Sequence, residues 1–223
     1  MVVPTEVSQM KRCLIVSGGY APHRAEEAGE LLKALLEREN FSVLHSRSLS
    51  AYDEEDLSTY DLIVPNWTVG EMSVEASKRL WSAVATDGVG LGGFHGGMAD
   101  GFRNNDRFRY MVGGSYVAEP GGVTDYEVEI VTPDDPITAG VASFAYRSEQ
   151  YYMQVDPANE VLAVTRFDGR FHPWIDGVIM PSVWKKRFGA GRVFFSALGH
   201  LPDEFDVVPM RTILLRGLAW AAR

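Results

Sequence analysis

Three histidines stand where a chain of alternating strands and helices would present them to a ligand. His95 closes the run Val89-Gly90-Leu91-Gly92-Gly93-Phe94-His95-Gly96-Gly97, in which an apolar strand gives way to glycine. His23 follows Ser17-Gly18-Gly19-Tyr20-Ala21-Pro22, and His200 ends Ser196-Ala197-Leu198-Gly199-His200. Near neutral pH an imidazole serves as general acid or base, or as a metal ligand. Glycine lets the backbone approach a ligand closely and adopt positive φ. The plainer reading of each is a capping or hydrogen-bonded histidine beside a tight turn, and both readings stand on the sequence. His45, at a strand end without glycine, and His172, in His172-Pro173-Trp174, read as structural.

Carboxylates extend the set. Arg147-Ser148-Glu149-Gln150-Tyr151-Tyr152 reads as a strand, which would put Glu149 and Tyr151 on one face. A carboxylate and a phenol on one face bind hydroxyls, ligate a metal or exchange protons. Glu119-Pro120-Gly121-Gly122 reads as a turn that aims Glu119 at the same rim; Asp100 and Glu204 are weaker candidates. His95 and His200 are the candidate metal ligands, and histidine with carboxylate suits zinc, manganese or iron. No His-x-His or HExxH pair is present, so the fold would have to assemble any divalent-metal site. A P-loop, a GxGxxG after the first strand, a GxSxG elbow and paired CxxC motifs are also missing.

The elements that must position these groups follow from the hydrophobic pattern. Leu14–Val16, Phe41–His45, Leu62–Val64 and Val89–Phe94 read as strands, the third stopped by Pro65. Between them lie a helix with Ala28, Leu31, Leu32, Leu35 and Leu36 on one face and a helix capped by Ser73 that runs through Val84. That alternation implies a parallel sheet with helices on both faces. The loops after the first, third and fourth strands then share one rim, where open α/β sheets bind ligands. A short helix is expected over 105–112. Strands over 126–131, 161–166, 178–184 and 193–196 read as antiparallel or late additions, before a closing helix from about Pro209.

Composition narrows the class. The 223 residues carry a net charge of −9 without a basic stripe, which argues against nucleic acid and anionic membranes as partners. The single cysteine, Cys13, lies inside an apolar run and reads as a buried hydrophobe. With no membrane span and no basic, apolar leader in residues 1–10, a cytoplasmic protein is expected. Residues 1–11 read as a flexible arm and 12–223 as one domain; a homodimer is the default assembly.

The ordered windows together resemble the trehalose-utilisation, or ThuA-like, family. They are Ser17-Gly18-Gly19 with His23, Gly92-Gly93-Phe94-His95, Tyr110-Met111-Val112-Gly113-Gly114-Ser115-Tyr116 and Asp135-Pro136-Ile137 leading to Glu149-Gln150-Tyr151. Last comes Pro181-Ser182-Val183-Trp184 through Phe188-Gly189-Ala190-Gly191-Arg192 to Leu198-Gly199-His200. Asp135 replaces the histidine usual before Pro-Ile in that family. The resemblance implies a flavodoxin-like sheet of the class I glutamine amidotransferase type. The amidotransferase triad is not matched, because His95 stands near the nucleophile position and no His-x-Glu follows the later strand, so glutamine hydrolysis is not inherited.

The resemblance implies a small carbohydrate as ligand, such as trehalose oxidised to a 3-keto sugar. In an enzyme of this kind, elimination, hydrolysis or isomerisation would place Glu149 as base, His95 and His200 at the oxyanion, and Tyr151 as acid. The sugar would meet Gly18, Gly19, His23, Trp67, Gly96, Glu119 and Trp184. The alternative is a non-catalytic sugar-binding or regulatory module, with Tyr20, Trp67, Tyr151, Trp174 and Trp184 offering stacking surface or packing in the core.

Overall fold

The structure, a computed structural model, describes residues 10–223. Among the described residues eleven strands are formed: β1 (Lys11–Gly19), β2 (Phe41–Ser46), β3 (Leu62–Thr68), β4 (Gly90–Phe94), β5 (Gly114–Ala118), β6 (Val123–Ile130), β7 (Phe144–Glu149), β8 (Tyr152–Val155), β9 (Glu160–Arg166), β10 (Ile179–Phe188) and β11 (Gly191–Ser196). The α-helices are α1 (Ala25–Arg38), α2 (Ala51–Glu54), α3 (Val74–Ala85), α4 (His95–Ala99), α5 (Asp106–Val112) and α6 (Val208–Ala221). The expected arm over 1–11 lies mostly outside the described residues, and Lys11 already pairs with Phe41 in the sheet.

Nine strands form one sheet in the order β2-β1-β3-β4-β11-β10-β9-β6-β7. The pairs from β2 to β11 are parallel and those from β11 to β7 are antiparallel. The expected α/β sheet with antiparallel additions is therefore present, with half of the ladder antiparallel. β5 and β8 pair in a separate two-stranded sheet.

Strand periodicity explains the layering. In β1, Cys13 and Ile15 point to one face, where α1 and α6 pack, while Leu14 and Val16 point to the other, where α2, α3 and α5 pack. All four are fully buried, as a strand covered on both faces requires. Ser73 caps α3 by accepting from the Ala76 amide at 2.9 Å. Gly113, with φ +80°, ends α5 in the left-handed conformation.

β3 does not stop at Pro65 but continues to Thr68. β4 pairs with β3 only at Leu62 and Ile63, so the prolyl nitrogen falls beyond that ladder and breaks no hydrogen bond in it. The glycines of β4 serve packing: a Cβ on Gly90 would meet the backbone of Ala221, and one on Gly92 would lie 2.7 Å from Leu218 Cδ2.

Strand direction decides where the site lies. β11 is parallel to β4, and the alternation through β10, β9 and β6 returns β7 to the same direction. The carboxyl ends of β1, β3, β4, β7 and β11 thus share one rim. His23, Thr68, His95, Glu149 and His200 sit at or just past those ends. Among the described residues, no helix is long and apolar enough to cross a membrane.

Candidate active site at the carboxyl rim

His95 is the first residue of α4 and holds φ +48°, left-handed backbone that a β-bearing residue rarely adopts. Such a strained strand-to-helix junction lifts a side chain above the sheet. Its ring is buried, and Nδ1 donates to the Ala197 carbonyl at 3.0 Å, which directs Nε2 into the site. Three groups converge on Nε2: Tyr151 Oη at 2.8 Å, His200 Nδ1 at 3.0 Å and Glu149 Oε2 at 3.2 Å. Glu149 Oε2 also lies 3.2 Å from His200 Nδ1.

His23 completes the group from the loop after β1. Its Nδ1 bonds Thr68 Oγ1 at 2.9 Å, and its ring meets those of His95 and His200 edge-on, at centroid distances of 5.1 and 5.0 Å. One ligand atom from each of His23, His95, Glu149 and His200 lies within 4.8 Å of the others. Gly96 makes the approach possible, because a Cβ there would stand 2.8 Å from His23 Cε1.

A further set of contacts fixes His200. Glu204 accepts from the His200 amide at 3.0 Å, from Ser148 Oγ at 3.0 Å and from the Tyr146 hydroxyl. Tyr146 Oη in turn accepts from the Gly199 amide at 3.1 Å. One carboxylate thereby ties the loop after β11 to strand β7, one residue from Glu149.

Burial and charge set the protonation states. Burial acts to raise the Glu149 carboxyl, but hydrogen bonds and charge from His200 and His95 outweigh it and hold the group far below the usual carboxylate range. Burial, then the neighbouring imidazoles, pull His23 down to about 4. Burial and the nearby carboxylates, Glu149 first, push the Tyr151 phenol well above its usual value, so it stays a donor.

The donor set suits a divalent cation. Two imidazole nitrogens and a carboxylate oxygen sit 3.0, 3.2 and 3.2 Å apart. Ligands at bond lengths of about 2.1 Å lie roughly 3.0 Å apart on an octahedral face and roughly 3.4 Å apart in a tetrahedron. The spacing resembles a facial pair of histidines with one carboxylate, an arrangement that leaves coordination positions open.

A cavity of about 220 Å³ opens beside the group, lined by Tyr20, His23, Thr68, Val69, Asp100, Arg103, Tyr116, Glu119, Glu149 and Tyr151. Asp100 is buried and held by both Arg103 Nε and Arg103 Nη2, the latter at 2.7 Å, so Arg103 is committed.

Residues 12–221 match the family model described as ThuA, trehalose utilisation. The chain belongs to the ThuA family. A putative ThuA-like protein from Parabacteroides merdae superposes with TM-score 0.78 at 18% identity, covering 95% of this chain and 90% of that one. A second, from Bacteroides uniformis, gives 0.78 at 19%, covering 99% and 94%. The glutaminase domain of Trypanosoma brucei CTPS shares the fold at TM-score 0.54 and 12% identity, covering 95% and 92%. No curated protein matches the sequence.

Within this ThuA-family fold, the sequence candidates separate into two groups. His23, His95, Glu149, Tyr151, His200, Gly96 and Glu119 come together around the cavity. Trp184 does not: it is fully buried, stacks at a tilt on Phe195, and donates from Nε1 to the Val112 carbonyl at 2.9 Å. Trp67 lies over Gly18 and Gly70 rather than in the cavity. Gly18 and Gly19 line a separate cleft with Tyr20 and Arg24, and the Thr68 backbone leaves Gly19 no room for a side chain. Trp174 is 78% exposed and stacks on His172. His45 is a buried partner of Glu30, as a structural reading expects.

Glu149 and Tyr151 reach His95 without sharing a strand, since β7 ends at Glu149 and β8 begins at Tyr152. Thr68, Arg103 and Tyr116 were not singled out from sequence. Thr68 had one available signal, its place at the end of a strand on the same rim.

Proposed function

We propose that this ThuA-family chain is an enzyme of carbohydrate utilisation that acts on a keto-sugar, a glycoside oxidised at carbon 3, at a divalent-metal centre. The convergence of His95 Nε2, His200 Nδ1 and Glu149 Oε2 at 3.0–3.2 Å carries the reading. A 220 Å³ cavity suits one sugar ring, being smaller than the roughly 300–1,000 Å³ of drug-sized pockets.

His95, His200 and Glu149 would hold the ion, which supplies Lewis-acid polarisation of a carbonyl oxygen. A ketone at carbon 3 acidifies the proton on carbon 2, and its removal allows the oxygen on carbon 1 to leave. His23 faces the cavity with its Nδ1 fixed by Thr68, and it takes the carbon 2 proton. Tyr151 donates its hydroxyl hydrogen to the oxygen where negative charge develops. Glu149, engaged by two imidazoles, serves as ligand in place of the base role that the family resemblance implied. Asp100 and Tyr20 offer acceptors to ring hydroxyls.

The test is turnover of a 3-keto disaccharide by the purified chain supplied with zinc, manganese or iron. Product formation that is lost in His95→Ala supports the reading. No turnover with any of the three ions contradicts it.

A further inference from the structure

Glu119 is the cavity carboxylate that this mechanism leaves unused. It follows β5 and enters a turn in which Gly121 and Gly122 hold φ +89° and +62°, and the Gly122 amide donates to the Glu119 carbonyl at 2.9 Å. The Phe171 ring lies against Gly121 and backs the turn. β6 begins directly after it, and Val123 pairs with Glu149 in the ladder. The register therefore brings Glu119 beside the metal-binding group, and its side chain lines the same cavity.

Glu119 Oε2 is buried and has no hydrogen-bond partner. A buried carboxylate oxygen without a donor is costly, whereas a protonated carboxyl awaiting an acceptor is less so. No neighbouring side chain donates a hydrogen bond to this oxygen, although the Glu119 amide and the charge of His95 act in favour of the carboxylate. Asp100, Glu149 and Tyr151 are acids, Arg103 is bound to Asp100, and the His23 and His95 rings bond Thr68 and Ala197. Burial raises the Glu119 carboxyl above the usual range.

We propose that Glu119 is the proton donor of this site, delivering its proton to the oxygen that leaves carbon 1. The inference rests on the keto-glycoside reading above. The electron pair of the C2–H bond first forms the enolate, and the proton passes to His23. As the carbonyl at carbon 3 re-forms, that pair becomes the C1–C2 double bond and the C1–O bond breaks. The departing oxygen keeps the bonding pair and takes the Glu119 proton, giving an alcohol and an unsaturated keto-sugar. Transfer of the His23 proton back to Glu119 through solvent closes the cycle, with no oxidant or reductant. Tyr151 is assigned to the oxygen where negative charge develops, which leaves the departing oxygen to a second donor.

The experiment compares wild type and Glu119→Gln on methyl and 4-nitrophenyl 3-keto-glucosides, with melting temperature as the check on folding. A poor leaving group needs the donor and a good one does not. The variant is expected to lose about 10²–10⁴-fold in kcat on the methyl glycoside. It should stay close to wild type on the nitrophenyl glycoside and lose the alkaline limb of the pH profile. An equal loss on both substrates, or none on either, overturns the proton donor while leaving the keto-glycoside reading intact. A wild type inactive on both overturns that reading, and the donor role with it. An infrared difference spectrum between the two proteins gives a readout without turnover. A protonated-carboxyl band lost in the variant is expected at neutral pH, and its absence from wild type overturns the proposal.

Discussion

Glu204→Ala tests whether one carboxylate holds the site together from behind. It removes the acceptor for the Tyr146 hydroxyl, the Ser148 hydroxyl and the His200 amide. Tyr146 and Ser148 are 4% and 0% exposed, so water does not readily replace the lost partner. Each buried polar group left unpaired costs about 1–3 kcal/mol, which gives roughly 2–6 kcal/mol for the two hydroxyls. Water entering the space left by Glu204 offsets part of this, for an expected loss of about 3 kcal/mol. In a chain of this length 1 kcal/mol moves the midpoint by about 2–4 °C, so melting should fall by roughly 6–12 °C. Freed from Glu204, the His200 loop should also bind a divalent ion about 10–100-fold more weakly, as happens when partners of metal ligands are removed. Thermal unfolding followed by circular dichroism, and titration with manganese or zinc, measure the two effects. A variant that melts within about 1 °C of wild type would refute the hydrogen-bond accounting. One that is destabilised yet keeps full metal affinity would refute the link from Glu204 to His200.

Gly96→Ala should push His23 off its place, since the new Cβ would stand 2.8 Å from Cε1; a stability loss of about 1–3 kcal/mol in urea titration is expected, with turnover reduced more than binding. Tyr151→Phe should keep the fold and lower kcat on a keto-glycoside by about 10²–10³-fold, as expected for loss of an oxyanion donor; unchanged steady-state kinetics would remove that role. Asp156→Asn strips the buried Lys186 ammonium of the carboxylate 2.7 Å away and should cost about 3 kcal/mol at neutral pH. The Lys186 hydrogen bond holds the Asp156 carboxyl below its usual value, so its stabilisation is complete above the unfolded value of about 4 and is lost as pH falls through the lower folded one. Urea unfolding of both proteins at neutral pH and at about pH 3 should accordingly show the gap closing in acid.

The sequence made the first half of the sheet legible because burial there has a period. Cys13–Val16 is apolar without a break, as a strand covered on both faces must be, and α1 repeats its apolar residues at helical spacing. The three site histidines were visible for a related reason: each follows a strand end, and parallel strands bring such ends to one rim. Glu149 joined them only through strand direction, which depends on the antiparallel succession β11-β10-β9-β6-β7 and leaves no local mark. β5 and β8 are 5 and 4 residues long, too short for a pattern to emerge. Trp184 and Trp67 were misleading because an aromatic residue near glycine reads alike at a binding rim and in a core; only the Val112 carbonyl within reach of Trp184 Nε1 shows which it is. The role of Glu204 was hidden because its partners Tyr146 and Ser148 lie 58 and 56 residues away.

The central claim is that His95, His200 and Glu149 form a divalent-metal site. Metal content of the full chain, purified without a histidine tag, tests it most directly when measured by elemental analysis beside a His95→Ala/His200→Ala variant that folds by circular dichroism. The account predicts near-stoichiometric manganese, iron or zinc in wild type, or uptake to that level on reconstitution, and loss of it in the variant. A wild type that takes up no divalent ion, or a variant that retains as much as wild type, would contradict it.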